Sequence, residues 1–167
     1  PRKGAQDFID MALDQPDYHF LWIGGIPFGK LGEKTADMEQ LMKNAPENVT
    51  FTGVVELEVA RQLYHLGTIF WLASYQETFG LVVIEAAACG LPVILRDLPV
   101  YKKIFNDSYL IANSLDQCKK NIISLLSNKA TYKQWQARSL QLADDYSSAH
   151  RIKEYTAVYA ELIGPQS

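Results

Sequence analysis

The sequence has little of several features that point to particular classes of protein. It contains two cysteines and three histidines, and none of them share a spacing typical of metal ligands. No apolar run approaches the roughly 18 residues that a membrane-spanning helix needs, and no signal peptide opens the sequence. The net charge of −3 and the scattered basic residues do not favour nucleic acid or an anionic membrane as a partner. Together these absences predict a globular domain in a reducing, cytoplasmic setting.

What is present suffices for one well-packed domain. The 167 residues are 48% hydrophobic, which is enough to bury a full core. Short apolar runs alternate with amphipathic segments, and this order is typical of α/β proteins with a parallel sheet. In the segment 56–66, for example, Val59, Leu63 and Leu66 are expected to face inward. We therefore predict an α/β fold in which residues 1–167 form a single domain.

Residues 68–97 form the stretch around which we expect the rest of the chain to be organised. An apolar run at 69–73 predicts a buried strand, and an alanine-rich helix follows from Leu81 to Cys89. Gly90 ends this helix, and a second apolar strand covers 93–95. The unit is therefore strand, loop, helix, strand, which is the building block of parallel sheets.

The loop between the first strand and the helix is the predicted ligand site. Open parallel sheets bind ligands outside the carboxyl ends of their strands. Gly80 has no Cβ and lets the backbone approach a ligand closely. The backbone amides of Leu81, Val82 and Val83, at the start of the helix, form a site for a phosphate. The pattern indicates a nucleotide-type pocket.

Two glutamates flank this loop. Glu77 lies in the loop and Glu85 lies eight residues later in the helix, so both can face the same cleft. Carboxylates only accept hydrogen bonds, and they hold ligands rich in hydroxyl groups through charge-assisted bonds. The pair therefore suits ribose and hexose.

This block of residues resembles a known motif. Glu77 and Glu85, with Phe79-Gly80-Leu81 between them and Glu-Ala-x-Ala-x-Gly-x-Pro-Val after them, look like the donor-binding motif of retaining GT-B glycosyltransferases of family 4. The resemblance implies a Rossmann-like three-layer αβα sandwich with a parallel sheet, which is one half of a GT-B fold. Residues 1–167 would then be the C-terminal nucleotide-sugar-binding domain, with an N-terminal acceptor domain absent from these residues.

The resemblance also implies which residues bind the donor. They are Arg2, Lys3, Gly24, Val55, Glu77, Phe79, Gly80, Leu81, Val82 and Glu85. Glu85 would hold the ribose hydroxyls, Glu77 the ring hydroxyls of the sugar, and the backbone of residues 79–82 the sugar and diphosphate. Lys3 would contact the phosphates, with Arg2 in place of an arginine that the family has further upstream. No catalytic residue is assigned, and Glu77 is expected to lie nearest the transferred sugar.

The nucleobase end of the predicted site involves Gly24 and Val55. A dinucleotide fingerprint starting at Gly24 fails because Ile26 stands where glycine is required, and a P-loop fails because Leu31 replaces its hydroxyl residue. By resemblance, Gly24 instead ends a strand that passes close to the nucleotide. The segment 49–55 is similar to the family segment whose backbone meets the nucleobase.

The resemblance implies a hexosyltransferase that uses a nucleotide diphosphate sugar, UDP-glucose first, for retaining transfer to an acceptor. Residues 96–101, 6–9 and 16–22 are similar to Gram-positive enzymes that glucosylate diacylglycerol, so a glycolipid acceptor is favoured. No Asp-x-Asp occurs, and we expect no cofactor and no metal, with basic side chains and helix N-termini meeting the diphosphate charge.

The implied partners are the donor, the N-terminal domain of the same chain, and an acceptor lipid or glycan. Nucleic acid is not expected, and contact with the inner face of a membrane would come only through the N-terminal domain. Two alternatives stay open: a non-catalytic nucleotide-sugar-binding module, and an enzyme similar to UDP-sugar 2-epimerases. The last helix, about 148–162, carries an apolar stripe that could cover either this domain or the absent one.

Overall fold

The computed structural model describes residues 2–25 and 33–164, and in these ranges helices alternate with short strands. The elements are α1 (Ala5–Asp14), β1 (Phe20–Trp22), α2 (Glu33–Lys43), β2 (Val49–Phe51), α3 (Leu57–Leu66), β3 (Phe70–Leu72), α4 (Leu81–Ala88), β4 (Val93–Leu95), α5 (Pro99–Phe105), β5 (Leu110–Ile111), α6 (Leu115–Ser127), α7 (Lys129–Asp145) and α8 (Ser148–Ile163).

All of the strand pairs are parallel. β1 pairs with β2, and β3, β4 and β5 pair in that order. Parallel neighbours need a crossover connection, which helices α2, α4 and α5 provide along the chain. The Phe8 ring of α1 contacts Phe20 and Trp22 on β1 and Trp71 on β3, with ring centroids 5.2 to 5.9 Å apart. Helix α1 therefore packs against both groups of strands.

Strand β4 separates two layers of the core. Its residues Val93, Ile94 and Leu95 are all fully buried, and successive side chains of a strand point to opposite faces. Ile94 packs in a cluster with residues of α1 and α6. Val93 and Leu95 pack in a second cluster with residues of α4, α5 and α7. Helices thus cover both faces of the sheet, and the predicted Rossmann-like α/β fold is confirmed.

The central stretch forms as its local signals predict, except that the first strand, β3, is half-buried and not buried. Helix α4 begins after Gly80, which has a φ of 90°, and the chain leaves the helix through Gly90, at a φ of 75°. Both values lie in the region that favours glycine. At α6 the hydroxyl of Ser114 accepts a hydrogen bond from the Gln117 amide, as expected for an N-cap.

The predicted inner face of α3 is wrong at two of its three residues, and the third, Leu63, is half-buried. Val59 and Leu66 are 42% and 78% exposed, and the buried residue of this helix is Tyr64. Tyr64 packs with Ala86 of α4 and Leu91. The aromatic ring buries more apolar area than an aliphatic side chain, and this rotates the buried stripe of the helix towards Tyr64.

The structure of helices α5 and α8 goes beyond what the sequence predicts. The sequence assigns no element to residues 99–105, where the structure has α5 with Pro99 in its first turn, a position that tolerates proline. Helix α8 has no buried residue, and its stripe of Tyr155, Val158, Tyr159 and Leu162 is 52% to 77% exposed. None of the helices described here is both long and apolar enough to cross a bilayer.

Candidate functional site

The start of α1 packs directly on the end of β3. Gly4 has a φ of 73°, and a Cβ added to it would lie 2.4 Å from the carbonyl oxygen of Ala73. Beside this contact, the Tyr75 amide donates a hydrogen bond of 2.9 Å to the Arg2 carbonyl. The segment that carries Arg2 and Lys3 is therefore fixed next to the loop that follows β3.

This packing brings two predicted donor-binding residues into contact. The ammonium Nζ of Lys3 lies 2.5 Å from Oε1 of Glu77, although the residues are 74 positions apart. The Glu77 side chain is 8% exposed, whereas that of Lys3 is 51% exposed. The carboxylate is thus held inside the protein, while the ammonium group still faces solvent and has further hydrogen bonds to give.

The start of α4 lies at the same edge of the sheet. The Val83 amide donates to the Gly80 carbonyl, so it is not available to a ligand as the sequence predicts. Within the described part of the chain, the amides of Leu81 and Val82 have no acceptor. These two amides and the positive end of the helix dipole can receive an anion.

Gly80 and Phe79 have roles that differ in detail from the expectation. A Cβ on Gly80 would point towards the buried ring of Tyr101, at 3.2 Å from its Cε1 atom, and not towards the cleft. The Phe79 ring packs edge-on against Phe105 and Tyr146. Both residues therefore present only backbone to a ligand, and glycine is required at position 80 by its φ and by core packing.

Glu85 has a partner of its own in α3. The hydroxyl of Tyr64 donates a hydrogen bond of 3.3 Å to Oε2 of Glu85. Burial, followed by the nearby carboxylate charge of Glu85, raises the pKa of Tyr64. The phenol therefore stays protonated and orients one oxygen of Glu85, which leaves the remaining lone pairs for a ligand.

The nucleobase end is formed by the loops after β1 and β2. The Gly24 amide donates a hydrogen bond of 3.2 Å to the hydroxyl of Thr52. Gly24 also forms an isolated β-bridge with Gly53. A Cβ added to Gly24 would meet no atom of the described residues within 4 Å. Val55 lies half-buried just beyond this contact. Residues 26–32, which include Ile26 and Leu31 of the two rejected motifs, lie outside the described part of the chain.

Arg96, at the end of β4, was missed as a site residue by sequence reasoning. Its guanidinium donates 2.9 Å bonds to the carbonyls of Ala73 and Asn113 and pairs with the Asp7 carboxylate. It also lies 3.8 Å from the centroid of the Tyr75 ring. An arginine directly after a wholly apolar strand is the signal that could have found it, because such a charge has to be paired.

Two clefts lie near these elements. One, of about 290 Å³, sits between the loop after β3 and the start of α5 and includes Glu77. It is lined by Tyr75, Gln76, Glu77, Leu98, Pro99 and Val100. A groove of about 500 Å³ at β5 and α7, which includes Lys102, Trp135 and Arg138, contains none of the predicted donor-binding residues.

The structure arranges the predicted residues in three groups. Lys3 and Glu77 are in direct contact near α4, Glu85 pairs with Tyr64, and Gly24 meets the loop that leads to Val55. Among the residues with described positions, no group of three or more His, Cys, Asp or Glu side chains could hold a metal ion. That no metal takes part in the reaction stays a prediction.

Comparison with known proteins places the chain in a family. The family described as Glycosyl transferases group 1 matches residues 1–142. Alpha-galactosylglucosyldiacylglycerol synthase of Streptococcus pneumoniae is 34% identical over 158 residues, which cover 95% of this chain and 42% of that protein. Processive diacylglycerol alpha-glucosyltransferase of Acholeplasma laidlawii is 38% identical over 100 residues, covering 60% of this chain and 29% of that protein. The chain thus spans less than half the length of these relatives.

Solved structures share the fold. Sucrose-phosphate synthase from Thermosynechococcus elongatus superposes with a TM-score of 0.79 at 23% identity, covering 97% of this chain and 43% of that one. Anabaena HepE, in complex with UDP and glucose, superposes with a TM-score of 0.76 at 19% identity, covering 96% and 45%. With the family match over most of its length, the chain belongs to the group 1 glycosyltransferases.

Proposed function

We propose that the chain is the donor-binding domain of a retaining hexosyltransferase that uses a nucleotide diphosphate sugar, with UDP-glucose as the favoured donor. The observation that carries the proposal is the convergence of Lys3, Glu77 and the start of α4 at the carboxyl end of β3. Chemically, this places a cation, free backbone amides and a carboxylate side by side. A sugar diphosphate needs that combination, since it joins an anion to a ring of hydroxyl groups.

The phosphate part of the donor would bind first to positive groups. Lys3 is half-exposed and can turn its ammonium group from Glu77 towards a phosphate oxygen without leaving a fully buried position. The Leu81 and Val82 amides add directed donors at the helix start. Arg2 is exposed in the same segment and is a second cation within this region.

The hydroxyl-rich parts would bind to the two glutamates. Glu77, next to Lys3, is placed for the ring hydroxyls of the sugar, and Glu85, oriented by Tyr64, for the ribose. Gly24 and Val55 border the space proposed for the nucleobase. Each role uses a carboxylate or a backbone group as an acceptor or donor, and none requires a metal ion.

In the reaction, the bond between the anomeric carbon and the diphosphate oxygen would break, and the nucleotide would leave with added negative charge. The anomeric carbon would form a bond to an acceptor hydroxyl oxygen, whose proton would pass to the departing diphosphate. Lys3 and the amides at the α4 start would stabilise that charge, which is an electrostatic contribution. No residue is assigned as a nucleophile or base. The acceptor would bind to the rest of the full-length protein, and the lipid named in two relatives supports diacylglycerol or its glycosides.

Calorimetric titration with UDP, UDP-glucose, GDP-mannose and ADP-glucose tests the donor. We expect the uridine nucleotides to bind best, and Glu85→Ala to weaken their binding by about 1 to 3 kcal/mol, as loss of a charged hydrogen-bond partner does. Glu58→Ala, an exposed glutamate of α3 paired with Arg61, is the matched control and should change nothing. Equal losses in both variants, or a preference for GDP-mannose, would contradict the proposed donor site.

A transfer assay separates the enzyme from the two alternatives. We expect the full-length protein to move radiolabelled glucose from UDP-glucose to diacylglycerol in mixed vesicles, and these 167 residues alone to transfer none. Binding without transfer by the full-length protein would favour a non-catalytic module. Formation of an epimerised sugar nucleotide without an acceptor would favour the epimerase-like alternative.

A further inference from the structure

We propose that Arg96 is a positioning residue for phosphate binding: it ties α1 to the loop after β3 and thereby places Lys3 at the phosphate site. The inference deepens the proposed function and depends on it for the identity of the ligand. Arg96 itself touches none of the groups expected to meet the donor. Its effect would pass through the segment that carries Lys3.

Several elements of the fold meet at the guanidinium of Arg96. Arg96 leaves the end of β4 and donates to the carbonyl of Ala73 at the end of β3 and to that of Asn113 after β5. Its third contact is the carboxylate of Asp7 in α1. A planar guanidinium can satisfy three acceptors in fixed directions at once, which a lysine ammonium cannot do with the same geometry.

The ion pair between Arg96 and Asp7 is largely buried. The side chains of Arg96 and Asp7 are 12% and 17% exposed, so solvent screens their attraction far less than at the surface. The Tyr75 ring stacks on the guanidinium at 3.8 Å. The charge is therefore enclosed by carbonyls, a carboxylate and an aromatic face, and the removal of Asp7 or Arg96 leaves buried polar groups without partners.

The cluster around Arg96 is connected to the segment that carries Lys3 through Tyr75 and Ala73. Tyr75, which stacks on Arg96, also donates its backbone amide to the carbonyl of Arg2. Gly4, which follows Lys3, packs on Ala73, whose carbonyl Arg96 holds. Lys3 is thus bracketed on both sides by neighbours whose contacts depend on Arg96. Loss of the guanidinium frees the segment to move away from Glu77.

Hydrogen exchange tests the positioning without any ligand. In Arg96→Lys, we expect the Tyr75 amide to exchange about tenfold faster or more, while the amides of Leu95 in β4 and Ile122 in α6 change little. Arg138→Lys is the matched control, since that guanidinium also covers an aromatic ring and donates to a carbonyl, but in α7. Asp7→Asn, a milder change, should give the same local pattern. Uniform acceleration of all amides would mean that Arg96 only stabilises the fold, and would overturn the proposal.

Titration with UDP tests the consequence for binding. We expect Arg96→Lys to weaken UDP affinity about tenfold, and to have no further effect in a Lys3→Met background, because it acts through Lys3. Full additivity of the two changes, or unchanged affinity in Arg96→Lys, would overturn the proposal. If the wild-type chain binds no nucleotide, the proposed function fails, whereas the exchange contrast still decides whether Arg96 fixes the segment.

Discussion

The two ends of the candidate site are built in different ways. At the phosphate end, Lys3 and Glu77 are held by their ion pair, by the close contact of Gly4 with Ala73 and by the cluster around Arg96. At the nucleobase end, Gly24 forms a bridge with Gly53 and donates to Thr52, and a Cβ on Gly25 would lie 2.8 Å from the Val54 amide nitrogen. The Val54 side chain is 78% exposed. The phosphate end therefore adds charged side-chain contacts to its backbone packing. The described part of the nucleobase end, which we call the open end, is held by backbone and hydroxyl contacts and exposes the Val54 side chain.

We expect the two ends to contribute differently to nucleotide binding. Groups that are already fixed cost little entropy to order when a ligand binds, so they contribute more of their interaction energy to affinity. We therefore expect the phosphate end to supply most of the affinity for any nucleoside diphosphate. The nucleobase end should contribute selectivity between bases with smaller effects on folding.

The largest effect is expected from a methyl group at Gly4. Gly4→Ala places a Cβ 2.4 Å from the Ala73 carbonyl at a φ of 73°, and the clash and strain together should lower the free energy of unfolding by about 3 kcal/mol. Gly53→Ala is the matched control at the open end, with a φ of 68° and, in the part of the chain that the structure describes, no atom within 4 Å of the added Cβ. Its cost should be about 1 to 2 kcal/mol of strain alone. Equal losses in chemical denaturation would remove the contrast between the two ends.

A smaller effect is expected from Lys3. Lys3→Met should weaken UDP binding by about 2 kcal/mol, as loss of a charged hydrogen bond does, in calorimetry. It should also cost about 1 kcal/mol of folding stability, because Glu77 loses its cation while Lys3 was only half-buried.

The double variant Lys3→Met/Glu77→Gln sharpens this result. Neutralising the carboxylate removes the unpaired charge, so stability should recover while UDP affinity does not. Recovery of binding in the double variant would show that Lys3 serves only to neutralise Glu77.

The Tyr64 hydroxyl should contribute less again. Tyr64→Phe keeps the buried ring but removes the 3.3 Å bond to Glu85, and should cost about 1 kcal/mol in thermal unfolding. It should also weaken binding of uridine nucleotides slightly, because Glu85 loses its orienting donor. Affinity that falls as far as in Glu85→Ala would instead place the hydroxyl itself in contact with the ligand.

The smallest effect on stability is expected at the open end. Val54→Ser changes a side chain that is 78% exposed, so the free energy of unfolding should stay within about 0.5 kcal/mol. Its consequence should appear in the ratio of affinities for UDP and ADP, measured by competition. A large loss of stability would mean that this loop is packed as firmly as the phosphate end.

The elements around the phosphate end could be predicted because their signals are local. The sequence predicts β4 at 93–95 and a helix start at Leu81, and both are confirmed. An apolar run, a glycine and a proline within a few positions suffice for such assignments. By contrast, no local signal indicates the contact between the two loops at Gly24 and Gly53.

Contacts between distant residues could not be predicted. Arg96 meets Asp7 from 89 positions away, and nothing near either residue indicates the pairing. The buried face of α3 depends on the neighbouring helix, which accommodates the Tyr64 ring, and not on the aliphatic pattern of α3 itself. Of the three amides predicted to bind phosphate, Val83 is already bonded to Gly80, a detail of the helix's first turn that the helix pattern alone does not determine.

The most direct test of the account is a titration of the ¹⁵N-labelled chain with UDP, followed by amide chemical shifts. The account predicts that the largest changes occur at Lys3, Leu81 and Val82, with smaller ones at Gly24 and Val55. Changes centred instead on the groove of Lys102, Trp135 and Arg138 would show that a nucleotide binds elsewhere, and would contradict the assignment of the phosphate site to the carboxyl end of β3.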